Sequence, residues 1–202
     1  RLRMAIEKAQ SMNMPQENIK RAVQRGTGEL PGQSYEECVY EGYGPGGVAL
    51  IIESVTDNRN RTVSDLRNIL EKNHGKLAAA NAVGWMFHKK GIIRVARTSY
   101  NEDELLGIIL EAGADDMRAE EEGYEVITAP ENFETVRSTL ESKAIKMEEA
   151  EVQLIPENSV KVEGKEAVQV LKLMEAIEDH DDVQHVYANF DIDESVMASL
   201  GE

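Results

Sequence analysis

The sequence predicts an α+β protein: an N-terminal helical domain plus two α/β domains, one ferredoxin-like and inserted into the other. Three observations lead there. Apolar residues on either side of Pro15 fall at helical spacing. From Gly91 to Ile155 the strand and helix patterns follow the order β-α-β-β-α-β, the split βαβ arrangement. The strands of 34–90 make only half a sandwich, and the helix and strand after Pro156 have no sheet of their own. The economical solution returns residues 157–202 to complete the domain begun by 34–90, leaving 91–156 as the insertion.

Leu2, Ala5, Ile6 and Ala9 give the first helix, over 2–12, its apolar face. Pro15 opens a second helix, in a turn where its missing N–H costs little. Ile19, Ala22 and Val23 are its buried stripe, and Gly26 and Gly28 end it. Two helices this short cannot make a core alone, so 1–33 reads as a small domain with a linker from Gly26 to Ser34.

Residues 35–41 read as a strand and 48–52 as a buried one. Between them Gly42, Gly44, Pro45, Gly46 and Gly47 dictate a turn. Thr62 with Asp65 has capping-box spacing, which starts a helix after Arg61. Leu66, Ile69 and Leu70 are its apolar face and Gly75 stops it. Residues 82–88 read as another strand.

In the insertion, 92–95 is a strand and 101–112 a helix with Leu105, Leu106, Ile108 and Ile109 inward. Strands follow at 116–119 and 124–128. Pro130 opens a helix through Phe133, Val136 and Leu140, and 147–155 is the closing strand. Beyond it, Val170, Leu171, Met174 and Ile177 line a helix over 166–178, and 183–188 is the last strand.

A chain of 202 residues buries roughly 70% of its unfolded surface, enough for two or three small domains. No apolar run approaches the roughly 20 residues of a membrane helix. A single cysteine, Cys38, excludes an internal disulfide and a cysteine-rich zinc site, and suits a reducing cytosol. The chain starts at Arg1 within a helical pattern, so a natural N-terminus further upstream is expected. The net charge of −16 is uneven: +3 over residues 1–33, 0 over 34–90, −11 over 91–160 and −8 over 161–202. A neutral-to-basic end can therefore meet a polyanion while acidic surface maintains solubility.

Catalytic machinery is not evident. No Ser/His/Asp or Cys/His set stands out, and no Gly-Lys-Ser/Thr follows the glycine turn, which leaves a triphosphate loop unsupported. His74, His88, His180 and His185 lack metal-ligand spacing, and the acidic run around His180 reads as a solvated loop. Expected cofactors and metals are therefore none.

The candidates are binding residues. Arg59 and Arg61 precede a helix; they either grip phosphate as bidentate forks, or Arg61 pairs with Asp57 or Asp65 and orders the turn. Arg1, Arg3 and Lys8 belong to the first helix, Lys20, Arg21 and Arg25 to the second. Glu17 and Arg21 form an i,i+4 pair, leaving Lys20 and Arg25 the freer charges. Lys89 and Lys90 at a strand end serve edge protection or contact. The glycine turn is a tight strand connection or a docking element for RNA or a protein. Trp85 and Phe87 share a strand face and read as core, whereas Tyr43 is the better base-stacking candidate.

Tyr40-Glu41-Gly42-Tyr43-Gly44-Pro45-Gly46-Gly47 and Asp57-Asn58-Arg59-Asn60-Arg61-Thr62 closely resemble the YebC/PmpR family, which includes mitochondrial translational activators of cytochrome oxidase. Asn13-Met14-Pro15, Trp85-Met86-Phe87, Glu111-Ala112-Gly113-Ala114-Asp115-Asp116 and Asp181-Asp182-Val183-Gln184 fit as well. The resemblance spans nearly the whole chain; family members carry a further basic segment ahead of Arg1. It implies three domains and a non-enzymatic regulator of gene expression. The partner would be nucleic acid, either DNA in a transcriptional role or ribosomal RNA in a translational one. The translational role would aid synthesis of proline-rich stretches on the ribosome. The expected location is the cytoplasm, or the mitochondrial matrix in a eukaryote, with no membrane partner. A third alternative, a small-molecule sensor, predicts a pocket between residues 91 and 155.

Overall fold

The computed structural model describes residues 2–27, 34–97, 100–120 and 123–192. In chain order the elements are α1 (Leu2–Ser11), α2 (Gln16–Gly26), β1 (Glu36–Tyr43), β2 (Ala49–Thr56), α3 (Arg59–Lys72), β3 (Lys76–Leu77), β4 (Phe87–Ala96) and α4 (Glu102–Glu111). Then come β5 (Ala114–Ala119), β6 (Gly123–Thr128), α5 (Phe133–Ser142), β7 (Met147–Pro156), β8 (Val160–Val162), α6 (Gly164–Glu178), β9 (Val183–Ala188) and β10 (Phe190–Ile192). The protein is α+β, built on antiparallel sheets. It divides into two compact units, one of residues 1–82 with 161–188 and 192–202, the other of 83–160 with 189–191. The strands β8 and β10 pair with each other.

The first unit holds a four-stranded sheet in the order β3-β1-β2-β9. The β1–β2 hairpin runs from Glu36 opposite Thr56 to Tyr43 opposite Ala49, so the glycine turn closes a long ladder. On β1, Cys38, Tyr40 and Gly42 are buried at alternate positions, the period-two signature of one covered face. Both α3 and α6 pack on this unit's sheet and against each other. A Cβ on Gly42 would touch Leu70 of α3, and one on Gly44 would stand 3.2 Å from Leu173 of α6. Leu50, Leu66, Leu70, Leu173 and Ile177 are essentially inaccessible. At about 25 cal/mol per Å² of apolar surface removed from water, such side chains dominate the unit's stability.

The helix α3 ends in a Schellman turn: the Gly75 amide donates to Leu70 O (2.8 Å) and the His74 amide to Glu71 O (3.4 Å). The left-handed residue is His74, with φ 64°. The glycine at 75 answers a different need, since a Cβ there would lie 2.7 Å from the Tyr43 carbonyl oxygen.

The second unit's sheet has the order β5-β6-β4-β7, with α4 packed on β5 and α5 on β4 and β7. Its core gathers Ile93, Val95, Leu105, Ile109, Val126 and Leu140. A capping box starts α4: the Asn101 side chain accepts from the Glu104 amide at 2.9 Å, and Glu104 reaches back to the Asn101 amide.

Three local expectations are corrected. The separate strands at 82–88 and 92–95 are instead a short 3-10 turn at Gly84–Met86 followed by one continuous strand, β4. Lys89, Lys90 and Gly91 lie inside β4, opposite Leu154, Gln153 and Val152 of β7. The shared aromatic face also dissolves: Phe87 is buried, whereas Trp85, on the 3-10 turn, is 67% exposed. Finally, α3 begins one turn earlier than capping at Thr62 implies. The Asn58 side chain caps it by accepting from the Arg61 amide at 3.2 Å, and Thr62 is fully buried inside the helix.

Candidate nucleic-acid interface

The early start of α3 places Arg59 and Arg61 in its first turn, not before it. Their roles separate there. One nitrogen of Arg61, Nη2, donates to Asp182 Oδ2 at 2.9 Å and Oδ1 at 3.1 Å, and lies 3.0 Å from Asp57 Oδ1. The Thr62 hydroxyl donates to Asp182 Oδ2 at 2.7 Å and lies 2.9 Å from Thr56 Oγ1, which accepts from the Asn58 amide at 2.9 Å. Burial pushes the Asp182 carboxyl up, but hydrogen bonds from Thr62, Arg61 and Thr56 and the Arg61 charge outweigh it, holding the group below the usual carboxylate range. The Arg61 guanidinium is pushed further up, chiefly by its hydrogen bond to Asp182 and against a smaller effect of burial.

Asp57 is thus a partner of Arg61, as one of the two sequence readings had it. Asp65 is not; its Oδ2 lies 3.6 Å from His180 Nε2, while His180 Nδ1 accepts from the Asp182 amide at 3.1 Å. The run around His180, read as a solvated loop, is therefore tied to α3. Arg59 is exposed and forms no ion pair among the described residues.

The glycine turn is compact. Gly44 donates to Val48 O at 2.7 Å, Gly47 to Gly44 O at 3.3 Å and Val48 to Pro45 O at 3.4 Å. Three amides that a phosphate cradle would use are thereby engaged inside the turn. Gly46 and Gly47 both take left-handed backbone, φ 69° and 80°, which explains glycine at both. They form the exposed apex, while Gly42, Gly44 and Pro45 are buried. A Cβ at Gly46 would stand 3.3 Å from Glu166 Oε2, so a carboxylate borders the apex. Tyr43 is half-buried, with Lys76 Nζ 5.4 Å from its ring centroid.

The other predicted contacts are dispersed. Lys20, Arg21 and Arg25 are exposed on α2, and the expected Glu17–Arg21 pair is not formed, so Arg21 is as free as its neighbours among the described residues. Lys90 is spent on Asp115 at 2.8 Å. Lys89 and Lys90 are laddered on the β7 side alone, since the β4–β6 register begins at Gly91. Arg1 and the side chains of Arg3 and Lys8 lie outside the described residues. The residue that sequence reasoning missed is Asp182, 121 positions from Arg61, for which no local pattern gives a signal.

These features define an α+β protein with a glycine-built hairpin turn at one end of β2 and, after the other end, a helix start that carries arginines. The comparisons with known proteins give this class its family. Residues 35–190 match the family model described as "TACO1/YebC second and third domain". A protein of Natranaerobius thermophilus is 52% identical over 200 residues, covering 98% of this chain and 80% of the relative. One of Dictyoglomus turgidum is 53% identical over 201 residues, covering 99% and 81%. Both are described as a "probable transcriptional regulatory protein". The crystal structure of a conserved hypothetical protein from Aquifex aeolicus superposes with a TM-score of 0.80 at 43% identity, covering 95% of this chain and 79% of that one. The chain belongs to the TACO1/YebC family.

Proposed function

We propose that this protein is a non-enzymatic regulator of gene expression that binds nucleic acid, acting on DNA as a transcriptional regulator. The description of its relatives supports the regulatory part. The observation that carries the binding part is Arg59, an unpaired cation in the first turn of α3 beside the neutralised Arg61. Lys20, Arg21 and Arg25 on α2, which form no ion pair among the described residues, supply further phosphate contacts.

In this reading residues 91–156 form an inserted ferredoxin-like domain, supported by the strand order β5-β6-β4-β7. No described helix is long and apolar enough to cross a membrane. The second reading is a ribosome-associated translation factor that aids synthesis of proline-rich stretches. The exposed Gly46–Gly47 apex favours it, since a side-chain-free hairpin tip can enter a narrow channel. A sensor needs a pocket within 91–155; among the described residues, recesses lie around Tyr43, Arg61 and Lys72.

The test is sedimentation of the protein from cell lysate through a sucrose gradient, with and without RNase, alongside recovery of bound promoter fragments. Transcriptional action predicts protein at the top of the gradient and defined promoter DNA. Migration with ribosomes that RNase abolishes supports the translational reading instead.

A further inference from the structure

We infer that a second nucleic-acid contact lies where the C-terminal end of α3 meets α6: a lysine groove that takes the phosphates of a single strand, with Tyr43 stacking a base. The inference rests on the nucleic-acid reading above but uses different residues. Lys72, His74, Lys165, Gln169 and Lys172 line a recess of about 280 Å³. Lys165 and Lys172 are seven residues apart on α6, two turns along one face and about 10 Å in rise. None of the three lysines forms an ion pair among the described residues, although Asp and Glu outnumber Lys and Arg by 38 to 22 in the chain. Other cations of the chain are matched, as at Lys90–Asp115, Arg94–Glu149 and Lys161–Glu163, whereas these three share the state of Arg59 and gather in one recess.

Ordinary helix electrostatics accounts for one of the three lysines. Lys72 sits in the last turn of α3, where a cation complements the helix dipole. Lys165 sits in the first turn of α6, where the dipole disfavours a cation. Its placement acquires a purpose if an anion lies over the groove.

His74 adds an independent mark. It occupies the left-handed position of a Schellman turn, which glycine fills at lower cost. An imidazole held there against backbone preference lines the lysine recess and also an adjoining one of about 400 Å³, bordered by Tyr43, Gly44, Gly47, Gly75 and Lys76. The two recesses share His74 as a wall, with the lysines on one side of it and Tyr43 on the other. Cations along a groove with an aromatic platform at its end match single-strand recognition, in which phosphates meet lysines and bases stack on a π-face.

The experiment measures binding of the 202-residue chain to a labelled oligouridine and to a DNA duplex of equal length over a series of salt concentrations. For the single strand, joint replacement Lys72→Ala, Lys165→Ala and Lys172→Ala flattens the log K against log[salt] slope by about 2, at about 0.7 per lost contact. The single variant His74→Gly weakens binding several-fold while raising the thermal midpoint, a combination that a purely structural residue does not give. Lys143→Ala, on the other unit, leaves the slope unchanged. An unchanged slope in the triple variant, with Arg59→Ala still flattening it, removes the groove and spares the nucleic-acid reading. Stronger binding to the duplex than to the single strand overturns the single-strand assignment. Absence of salt-dependent binding by the parent protein to either probe overturns both readings.

Discussion

Arg61 and Asp182, 121 residues apart in sequence, meet at 2.9 Å and tie the start of α3 to the segment leading into β9. The Asp182 main chain is fixed as well: its carbonyl oxygen accepts from the Val55 amide at 2.8 Å. A carboxylate that is 13% exposed thus accepts charged and hydroxyl donors at once. Replacing it by alanine is expected to cost about 2 kcal/mol, the range for hydrogen bonds to a charged group. The pH dependence has a definite sign. Because the folded-state pKa is depressed, the stabilisation is full above the ordinary carboxylate range and is lost as pH falls through the folded-state value. Thermal midpoints of parent and Asp182→Asn should therefore converge on acidification; a gap that stays constant to low pH would contradict the assignment.

The two arginines of α3 should separate by assay. Arg59→Ala is expected to leave the thermal midpoint unchanged and to flatten the salt slope of nucleic-acid binding by about 0.7 to 0.9. Arg61→Ala is expected to lower the midpoint and barely alter the slope, since its charge is already matched by Asp57 and Asp182. Denaturation and salt titration of the two variants side by side decide this, and the reverse pattern would refute the division of roles.

Three glycines predict three outcomes. Gly75→Ala puts a methyl group 2.7 Å from the Tyr43 carbonyl, a rigid backbone atom, and should cost more than about 1 kcal/mol. Gly46→Ala meets both a left-handed φ and Val162 at 3.2 Å, and should also destabilise. Gly107, exposed in the interior of α4 with nothing near its Cβ position, should gain about 0.5 to 1 kcal/mol on replacement by alanine. Urea midpoints of the three variants provide the check.

Tyr40 carries a buried hydroxyl whose only polar neighbour of note among the described residues is the Cys38 thiol, a weak acceptor that meets no hydrogen-bond geometry here. Burial, reinforced by the neighbouring Cys38 thiol, pushes it up to about 12. Tyr40→Phe should keep or raise the thermal midpoint, because removing an unsatisfied buried polar atom is nearly neutral or stabilising. In the parent, the contribution of this raised pKa is full below the ordinary tyrosine range near 10 and declines as pH rises toward about 12. A destabilised Tyr40→Phe protein would reveal a hydrogen bond absent from this structure.

Local chemistry carried much of the architecture in the sequence. Apolar spacing in Leu105 and Ile109, or Val170 and Ile177, fixes a helix and its buried face, because those side chains must leave water together. Gly46 and Gly47 mark a turn because their backbone angles are costly for any other residue. The basic residues were legible as candidates from their type alone.

Their state of charge was not legible, because an arginine is free or neutralised according to what the fold brings beside it. Only the tertiary structure sets Asp182 against Arg61, leaves Arg59 open, and brings Lys72 of α3 into one groove with Lys165 and Lys172 of α6. It also moved the start of α3 from Thr62 back to Arg59, because Thr62 is worth more as a buried donor to Asp182 than as an exposed cap. Sequence therefore determined which segments hide from water, a property of each segment alone. The structure decided which charges remain unmatched, a property of pairs that chain topology joins across more than a hundred residues.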